Sequence, residues 1–255
     1  MTRRSRTVLI TGASSGLGAE MARQFAALGD DLALCARRTE RLEELREEIV
    51  AAHGVRVAVR PLDVTDDEAV FATVRGFRDD LGRLDRVIVN AGLGKGAALG
   101  TGRYDANRQT AMTNFVAALA QTEAAMEVFR EQRAGHLVMV SSMSAMRGMP
   151  KSLTTYAATK AGVAHLAEGL RTELYGTELG RTVKVTVLYP GYIASEMNEK
   201  VEQSTPLMAS TEKGVRAMVQ AIEKEVPSAC VPALPWAPLS MVMKHAPLPV
   251  VKRLI

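Results

Sequence analysis

The chain has 255 residues, of which 47% are hydrophobic and 24% charged. That is an ordinary composition for a globular protein and enough length to bury the core of one large α/β domain. Its net charge of +4 comes from scattered Lys and Arg, with aromatics at only 4%, which excludes nucleic-acid binding, where a concentrated basic stripe with stacking aromatics is required. Cys35 and Cys230 lie far apart in apolar runs, and His53, His136, His165 and His245 are isolated from one another. Free thiols in a reducing compartment, and no metal site, are therefore expected. After the arginines at 3, 4 and 6, the apolar run Val8-Leu9-Ile10 is too short for the core of a signal peptide, so a cytoplasmic location is expected.

Short β-branched runs alternate with longer helical patterns along the chain. Val8–Thr11 reads as a first strand, Gly16–Leu28 as a helix and Asp31–Cys35 as a second strand. Thr39 is expected to cap a helix with Leu42, Leu45 and Ile49 on one face, ended by Gly54. A strand at Val55–Val59, a helix at Asp66–Leu81 and a strand at Arg86–Asn90 follow, then a long helix from about Asn107 to Arg133. The spacing next predicts a strand at His136–Ser141, a helix over about Thr154–Gly176 and a strand at Val183–Tyr189. Glu212–Lys224 reads as a helix and Ala229–Val231 as a short last strand.

Near-continuous apolar strands alternating with helices predict an α/β fold: a doubly wound parallel sheet (Rossmann fold) of about seven strands with helices on both faces. No linker or repeat divides residues 1–255, which read as a single dinucleotide-binding domain. The segment from about 232 to 255 differs: it holds Pro232, Pro235, Pro238, Pro247, Pro249 and the only tryptophan, Trp236. No run there is long enough for a membrane span. The tail is expected to pack over the domain or a subunit, or, through Trp236, Met241, Met243, Lys244, Lys252 and Arg253, to make a peripheral membrane contact.

The segment Thr11-Gly-Ala-Ser-Ser-Gly-Leu-Gly18 follows the first strand and opens the first helix, the context in which a glycine-rich loop binds a dinucleotide. Gly12 permits the tight turn, Gly16 and Gly18 (flanking Leu17) admit a pyrophosphate to the helix N-terminus, and Ser14 and Ser15 offer hydroxyls. A site for NAD places a carboxylate about 20 residues further on, against the ribose 2′-hydroxyl. Here the second strand ends Leu34-Cys-Ala-Arg37-Arg38, and a guanidinium suits the 2′-phosphate of NADP (NADPH).

Tyr156 and Lys160 stand at i and i+4, on one helix face. A phenol titrates near 10 in water, too high for easy proton exchange. The Lys160 ammonium and a positive oxidised nicotinamide are expected to lower it, so that Tyr156 serves as general acid or base.

Ser141-Ser142, Tyr156, Lys160 and the Gly-x-x-x-Gly-x-Gly loop, in this order and at these distances, resemble the short-chain dehydrogenase/reductase family over roughly residues 7 to 230. The resemblance implies that Lys160 holds the nicotinamide ribose, that Ser142 hydrogen-bonds the substrate oxygen and that Asn114 binds a water linking Lys160 to solvent. It implies that Asp63-Val64 meets the adenine, and that Asn90-Ala91-Gly92 holds the central sheet and leaves room for the cofactor. It also implies that Pro190-Gly191-Tyr-Ile193-Ala-Ser195 meets the nicotinamide carboxamide through the Ile193 backbone and the Ser195 hydroxyl. Ser142 precedes Tyr156 by one residue more than is usual in the family. The extra residue falls between Pro150 and Tyr156, which favours Ser142 over Ser141 or Ser144.

Met143, Met146, Met149, Tyr192, Met197, Leu207 and Met208 suggest an apolar carbonyl or secondary alcohol as the small-molecule substrate. The resemblance also implies a homodimer or homotetramer, joined through the helices that hold Asn114 and Tyr156. Those helices carry the small residues Ala117, Ala118, Ala120, Ala124, Ala161, Gly162 and Ala164. The expected activity is NADP(H)-dependent oxidoreduction. The alternatives are an NAD-dependent alcohol dehydrogenase of the same family and a catalytically inactive cofactor-binding regulator.

Overall fold

The computed structural model describes residues 5–94, 96–194, 196 and 207–254, the last three as backbone alone. Seven strands, β1 (Thr7–Thr11), β2 (Asp31–Ala36), β3 (Val57–Pro61), β4 (Arg86–Val89), β5 (Gly135–Val140), β6 (Val183–Pro190) and β7 (Ser228–Val231), form one sheet. Every pairing is parallel, in the order β3-β2-β1-β4-β5-β6-β7. This is the doubly wound fold that the sequence predicts.

Because side chains alternate across a strand, the sheet divides its apolar residues between two cores. Leu9, Ala33, Val87, Leu137 and Val185 face one way, onto Phe77 of α3 (Asp67–Leu81) and Phe129 of α5 (Ala117–Gln132). Val8, Ile10, Leu32, Ile88 and Val138 face the other way. There they meet Phe25 of α1 (Gly16–Ala27), Ile49 of α2 (Thr39–His53) and Met218 of α8 (Thr211–Glu223). Phe25, Phe77 and Phe129 are fully buried, and each contributes roughly 1.5–3 kcal/mol by leaving water. Helix ends follow local chemistry: the Asp66 carboxylate accepts from Ala69 N at 3.0 Å to cap α3, and Gly54 closes α2 at φ +67.

Four expectations need correction, the first being the third strand, which spans Val57–Pro61, two residues later than Val55–Val59. Thr39 is the first residue of α2 and caps nothing; Arg38 takes the cap position without a side-chain cap bond, because a guanidinium has only donors and cannot accept from a helix N–H. The long helix begins earlier, as α4 (Tyr104–Ala111), and joins α5 through a π-helical turn, Met112–Val116. Ala117, Ala118, Ala120, Ala124 and Ala164 are buried in this chain's own core, so they bring α5 and α6 (Leu153–Leu174) close to the sheet within one subunit. Gly162 likewise admits the Phe115 ring, which a Cβ would meet at 2.8 Å. The tail is helical: α9 (Ala233–His245) and α10 (Leu248–Leu254) follow the short α7 (Glu178–Thr182) and α8 in chain order. Leu234 is non-helical, so Pro235 opens the helix proper, where a missing N–H costs no bond, and Pro238 lies one turn further in.

The amino ends of the strands are closed by a buried polar network. Arg86 donates from Nε to His136 Nδ1 at 3.1 Å and pairs with Glu223 at 2.6 Å. His136 Nδ1 must therefore be the acceptor, so Nε2 carries the proton toward Thr186 Oγ1 at 2.9 Å. Burial and the neighbouring Arg86 push His136 down to about 3. That leaves the carboxyl ends of the strands for a ligand, on either side of the switch point where β1 meets β4.

Candidate active site

A cavity of about 1760 Å³ runs across the carboxyl ends of the strands, from Arg37 and Arg38 past the glycine-rich loop to Tyr156. The loop after β1 is stitched to the loop after β4. Thr11 Oγ1 accepts from the N–H groups of Asn90 and Ala91, both at 3.0 Å, and Asn90 Nδ2 donates to Thr11 O at 2.9 Å. Gly12 turns at φ +66 with Ala91 Cα only 2.9 Å from where its Cβ would stand. Gly16 opens α1 at φ +53. Gly18 lines the cavity too, and its Cβ would lie 2.4 Å from the Gly12 carbonyl and 2.8 Å from Asn90 Nδ2, so this glycine also lets the loop fold onto itself.

At the far end of the cavity, Arg37 and Arg38 are exposed at the end of β2. Arg38 donates to Ser14 Oγ at 3.3 Å and to Ser15 Oγ at 2.6 Å, and it pairs with Glu196 at 3.1 Å. Arg41, one turn on in α2, pairs with the same carboxylate. Asp63 accepts from Thr65 N and Oγ1 at 3.0 and 2.8 Å. Those bonds, with Arg37 nearby, hold its carboxyl below the usual range. Val64 and Leu17 line the same cavity.

The reactive end is built on β5 and α6. Ser142 follows β5 in an extended conformation and caps the 3₁₀ turn Met143–Met146. Its Oγ accepts from Ser144 N at 3.2 Å and from Ser144 Oγ at 2.9 Å, which leaves its own proton to donate, and its nearness to the Tyr156 phenol favours the ionised form of that ring. Ser141 points the other way: buried, it donates to Lys160 O at 2.7 Å. The turn at Lys151, φ +57, sits where the sequence carries its extra residue.

Lys160 is 6% exposed, its Nζ donating to Val140 O at 2.8 Å and lying 5.9 Å from the centre of the Tyr156 ring. Burial pushes it down to about 8. The Tyr156 phenol is desolvated as well. Burial drives its pKa up, and Ser142 opposes that only in part. The ammonium is turned toward Val140 O and does not offset the desolvation.

Asn114 sits in the π-helical turn and is 1% exposed. Both ends of its amide are taken by the Leu93 backbone, at 2.8 and 2.9 Å, so its side chain is a clamp. Gly92 keeps the space between this clamp and Lys160 open: a Cβ there would stand 3.2 Å from Asn114 Oδ1 and 3.5 Å from Lys160 Nζ.

After β6, Pro190 and Gly191 line the cavity, and the Gly191 N–H donates to Val231 O at 3.0 Å. Ile193 is buried and pairs with Ala209 in an isolated bridge. Ser195 and Met197 lie outside the described residues. The wall beyond comes from the tail, which packs over the domain, one of the places expected for it. Trp236 packs its indole where a Gly191 Cβ would stand, 2.1 Å from Nε1, and meets Tyr192 edge-on at 5.5 Å. With Met143, Met149, Ala157 and Met243 it forms an apolar cluster. Arg147 fixes this wall by donating to the carbonyls of Met243, Lys244 and Ala246, the last at 2.9 Å. The lone tryptophan among prolines signals an ordered tail, but nothing local says where it docks. Arg41 and Glu196 were missed. The i, i+3 spacing of Arg38 and Arg41 was the available signal.

A glycine turn at the switch point of a doubly wound sheet, with a Tyr/Lys pair on an adjoining crossover helix, defines a dinucleotide-type oxidoreductase. The comparisons narrow that class. The model of the short chain dehydrogenases matches residues 6–206, and the chain belongs to this family. An uncharacterized oxidoreductase of Mycobacterium tuberculosis is 52% identical over 237 residues, 92% of each chain. An NADPH-dependent 3-quinuclidinone reductase from Rhodotorula rubra superposes with a TM-score of 0.75 at 25% identity, over 86% of this chain and 85% of that one. A short-chain dehydrogenase/reductase from Burkholderia phymatum in complex with NAD gives 0.81 at 20% identity, over 100% and 96%. Among the described residues no helix is long and apolar enough to cross a membrane, and no cluster of His, Cys, Asp or Glu could hold a metal.

Proposed function

We propose that the protein is an NADP(H)-dependent oxidoreductase that interconverts a carbonyl and a secondary alcohol on an apolar substrate. The observation that carries this reading is the joining of two ends in one cavity: Ser142, Tyr156 and Lys160 at one, Arg37 and Arg38 at the other. The cavity suits a dinucleotide. Its middle is the Gly12 turn, where no Cβ fits, and Ser14, Ser15 and Arg38 add donors that match phosphate oxygens. The cofactor, when bound, supplies or accepts the hydride.

The chain's own residues handle the proton. Ser142, its Oγ already accepting two bonds from Ser144, donates to the substrate oxygen and stabilises the charge that develops there. Tyr156 gives its proton to that oxygen in reduction and takes it back in oxidation. At neutral pH a phenol holds its proton, the state an acid for carbonyl reduction requires; burial raises its pKa further, so the charge of Lys160 and of a bound oxidised nicotinamide is what would ease the proton's release. Lys160 holds a ribose hydroxyl, with Asn114 fixing Leu93 and so the floor beside it. The adenine lies by Asp63 and Val64, and the carboxamide by Pro190, Gly191, Ile193 and Ser195. Arginines at the end of β2, where NAD sites carry a carboxylate, support NADP. The Trp236, Met143, Met149 and Met243 wall supports an apolar substrate. The working form is a homodimer or homotetramer, which sedimentation velocity at micromolar concentration tests.

The deciding experiment is a panel of carbonyls and alcohols assayed with NADPH and NADH by the absorbance of the reduced nicotinamide. Turnover of apolar ketones, faster with NADPH, is expected. Absence of turnover on the whole panel, with cofactor binding intact, would favour a non-catalytic regulator.

A further inference from the structure

We infer that Glu196 is a specificity-determining residue that competes with the cofactor's 2′-phosphate for Arg38, at the end of β2. The inference rests on the reading of Arg37 and Arg38 as the 2′-phosphate site.

Hydrogen-bond capacity is the first argument. A guanidinium has two edges that can engage an anion through paired N–H groups. One edge of Arg38 is spent on the glycine-rich loop, Nε on Ser14 and one terminal nitrogen on Ser15. The other edge, both terminal nitrogens, is closed by a single carboxylate oxygen, Glu196 Oε2, at 3.1 and 3.2 Å. The second oxygen of that carboxylate is held by Arg41. Glu196 thus stands between two guanidiniums where a 2′-phosphate would need to stand. A phosphate reaches that edge of Arg38 by displacing it.

Charge is the second argument. A carboxylate and a phosphate cannot share one pair of arginines without repulsion, whereas a neutral ribose 2′-hydroxyl meets no such penalty. The carboxylate therefore opposes the phosphorylated ligand selectively. The magnitude is modest, because Arg38, Arg41 and Glu196 are all more than two-fifths exposed, at 44%, 48% and 41%, and exposed ion pairs are weak.

The test is calorimetric titration of the wild-type protein and of Glu196→Gln with adenosine 2′,5′-bisphosphate and with adenosine 5′-monophosphate, which differ only in the 2′-phosphate. Glu196→Gln should bind the bisphosphate about three- to tenfold more tightly, the gain expected from removing two exposed ion pairs. The monophosphate should change by less than about twofold, since its single phosphate meets the loop. Glu196→Asp, which keeps the charge, should resemble the wild type more than Glu196→Gln does. An unchanged bisphosphate affinity overturns the inference, as does equal tightening of both ligands. Weaker monophosphate binding by Glu196→Gln would show that the carboxylate serves the ribose hydroxyl instead, which also overturns it. The underlying cofactor reading fails separately: it is refuted if the wild type does not prefer the bisphosphate, whatever Glu196→Gln does. A preference that emerges only in Glu196→Gln would sustain the inference while removing the native choice of NADP.

Discussion

Three serines compete for the role of substrate-oxygen donor, and their substitution by alanine separates them. Ser142→Ala removes the hydroxyl beside Tyr156 and leaves the Ser144 N–H and Oγ–H without the acceptor they reach at 3.2 and 2.9 Å. Loss of a donor to developing negative charge costs about 100- to 1000-fold in kcat, or ~3–4 kcal/mol. The lost local bonds add about 0.5–1.5 kcal/mol each in stability. With a group that favours its ionised form gone, Tyr156 should also titrate higher, moving the acidic limb of the alcohol-oxidation profile to higher pH. Ser141→Ala is different in kind. It deletes a buried bond to Lys160 O at 2.7 Å, so about 0.5–1.5 kcal/mol of stability should go while kcat falls less than about fivefold. Ser144→Ala should fall between, because it frees a lone pair on Ser142 without removing the reactive hydroxyl. The assays are steady-state kinetics on a substrate the wild type accepts and urea unfolding of each variant. If Ser142→Ala retained more than about a tenth of kcat, or if Ser141→Ala lost as much, the assignment of Ser142 would be refuted.

Tyr156→Phe should abolish turnover, by at least ~100-fold, yet bind cofactor as the wild type does; near-normal rates on any accepted substrate would remove Tyr156 from its role. NADPH should bind about ten- to a hundredfold more tightly than NADH, since charge-assisted bonds to a phosphate contribute roughly 1.5–3 kcal/mol, and Arg37→Asp should reverse the order in fluorescence titrations. Deleting residues 236–255 should lower the melting temperature and raise KM for apolar substrates, because it strips Trp236 and Met243 from the cluster around Met143 and Met149; a truncated chain matching the full one in both would make the tail dispensable. His136, pushed from 6.5 to about 3 when folded, binds its proton more readily in the unfolded chain. Its contribution is therefore complete above about pH 6.5 and lost as pH falls toward 3. The urea midpoint should drop across that window, and His136→Gln should flatten the drop.

The features legible in the sequence are those whose meaning is local. Tyr156 and Lys160 share a helix face because a helix repeats every 3.6 residues. Gly12 reads as a turn because φ +66 is open to glycine. Six strands read within a residue of their observed ends because apolar runs buried on both faces have no other use, whereas β3, only half-buried, lies two residues later than read. These established the fold, the order of the site's parts and the arginines at the end of β2.

Tertiary structure decided whatever depends on partners distant in the chain. Ser141 and Ser142 are chemically identical neighbours, and the alternation of the strand leading to them sends one hydroxyl to Lys160 O and the other to Tyr156. Gly18 is required by the Gly12 carbonyl and by Asn90, the latter seventy-two positions away. The alanines of α5, read as a subunit contact, turn out to be this chain's own core. Arg38 finds Glu196 158 residues later, and Arg147 finds Ala246 99 residues later. No periodicity encodes such pairs. They arise because a parallel sheet gathers the carboxyl ends of strands remote in sequence at one edge, and what stands next to what there is settled by packing.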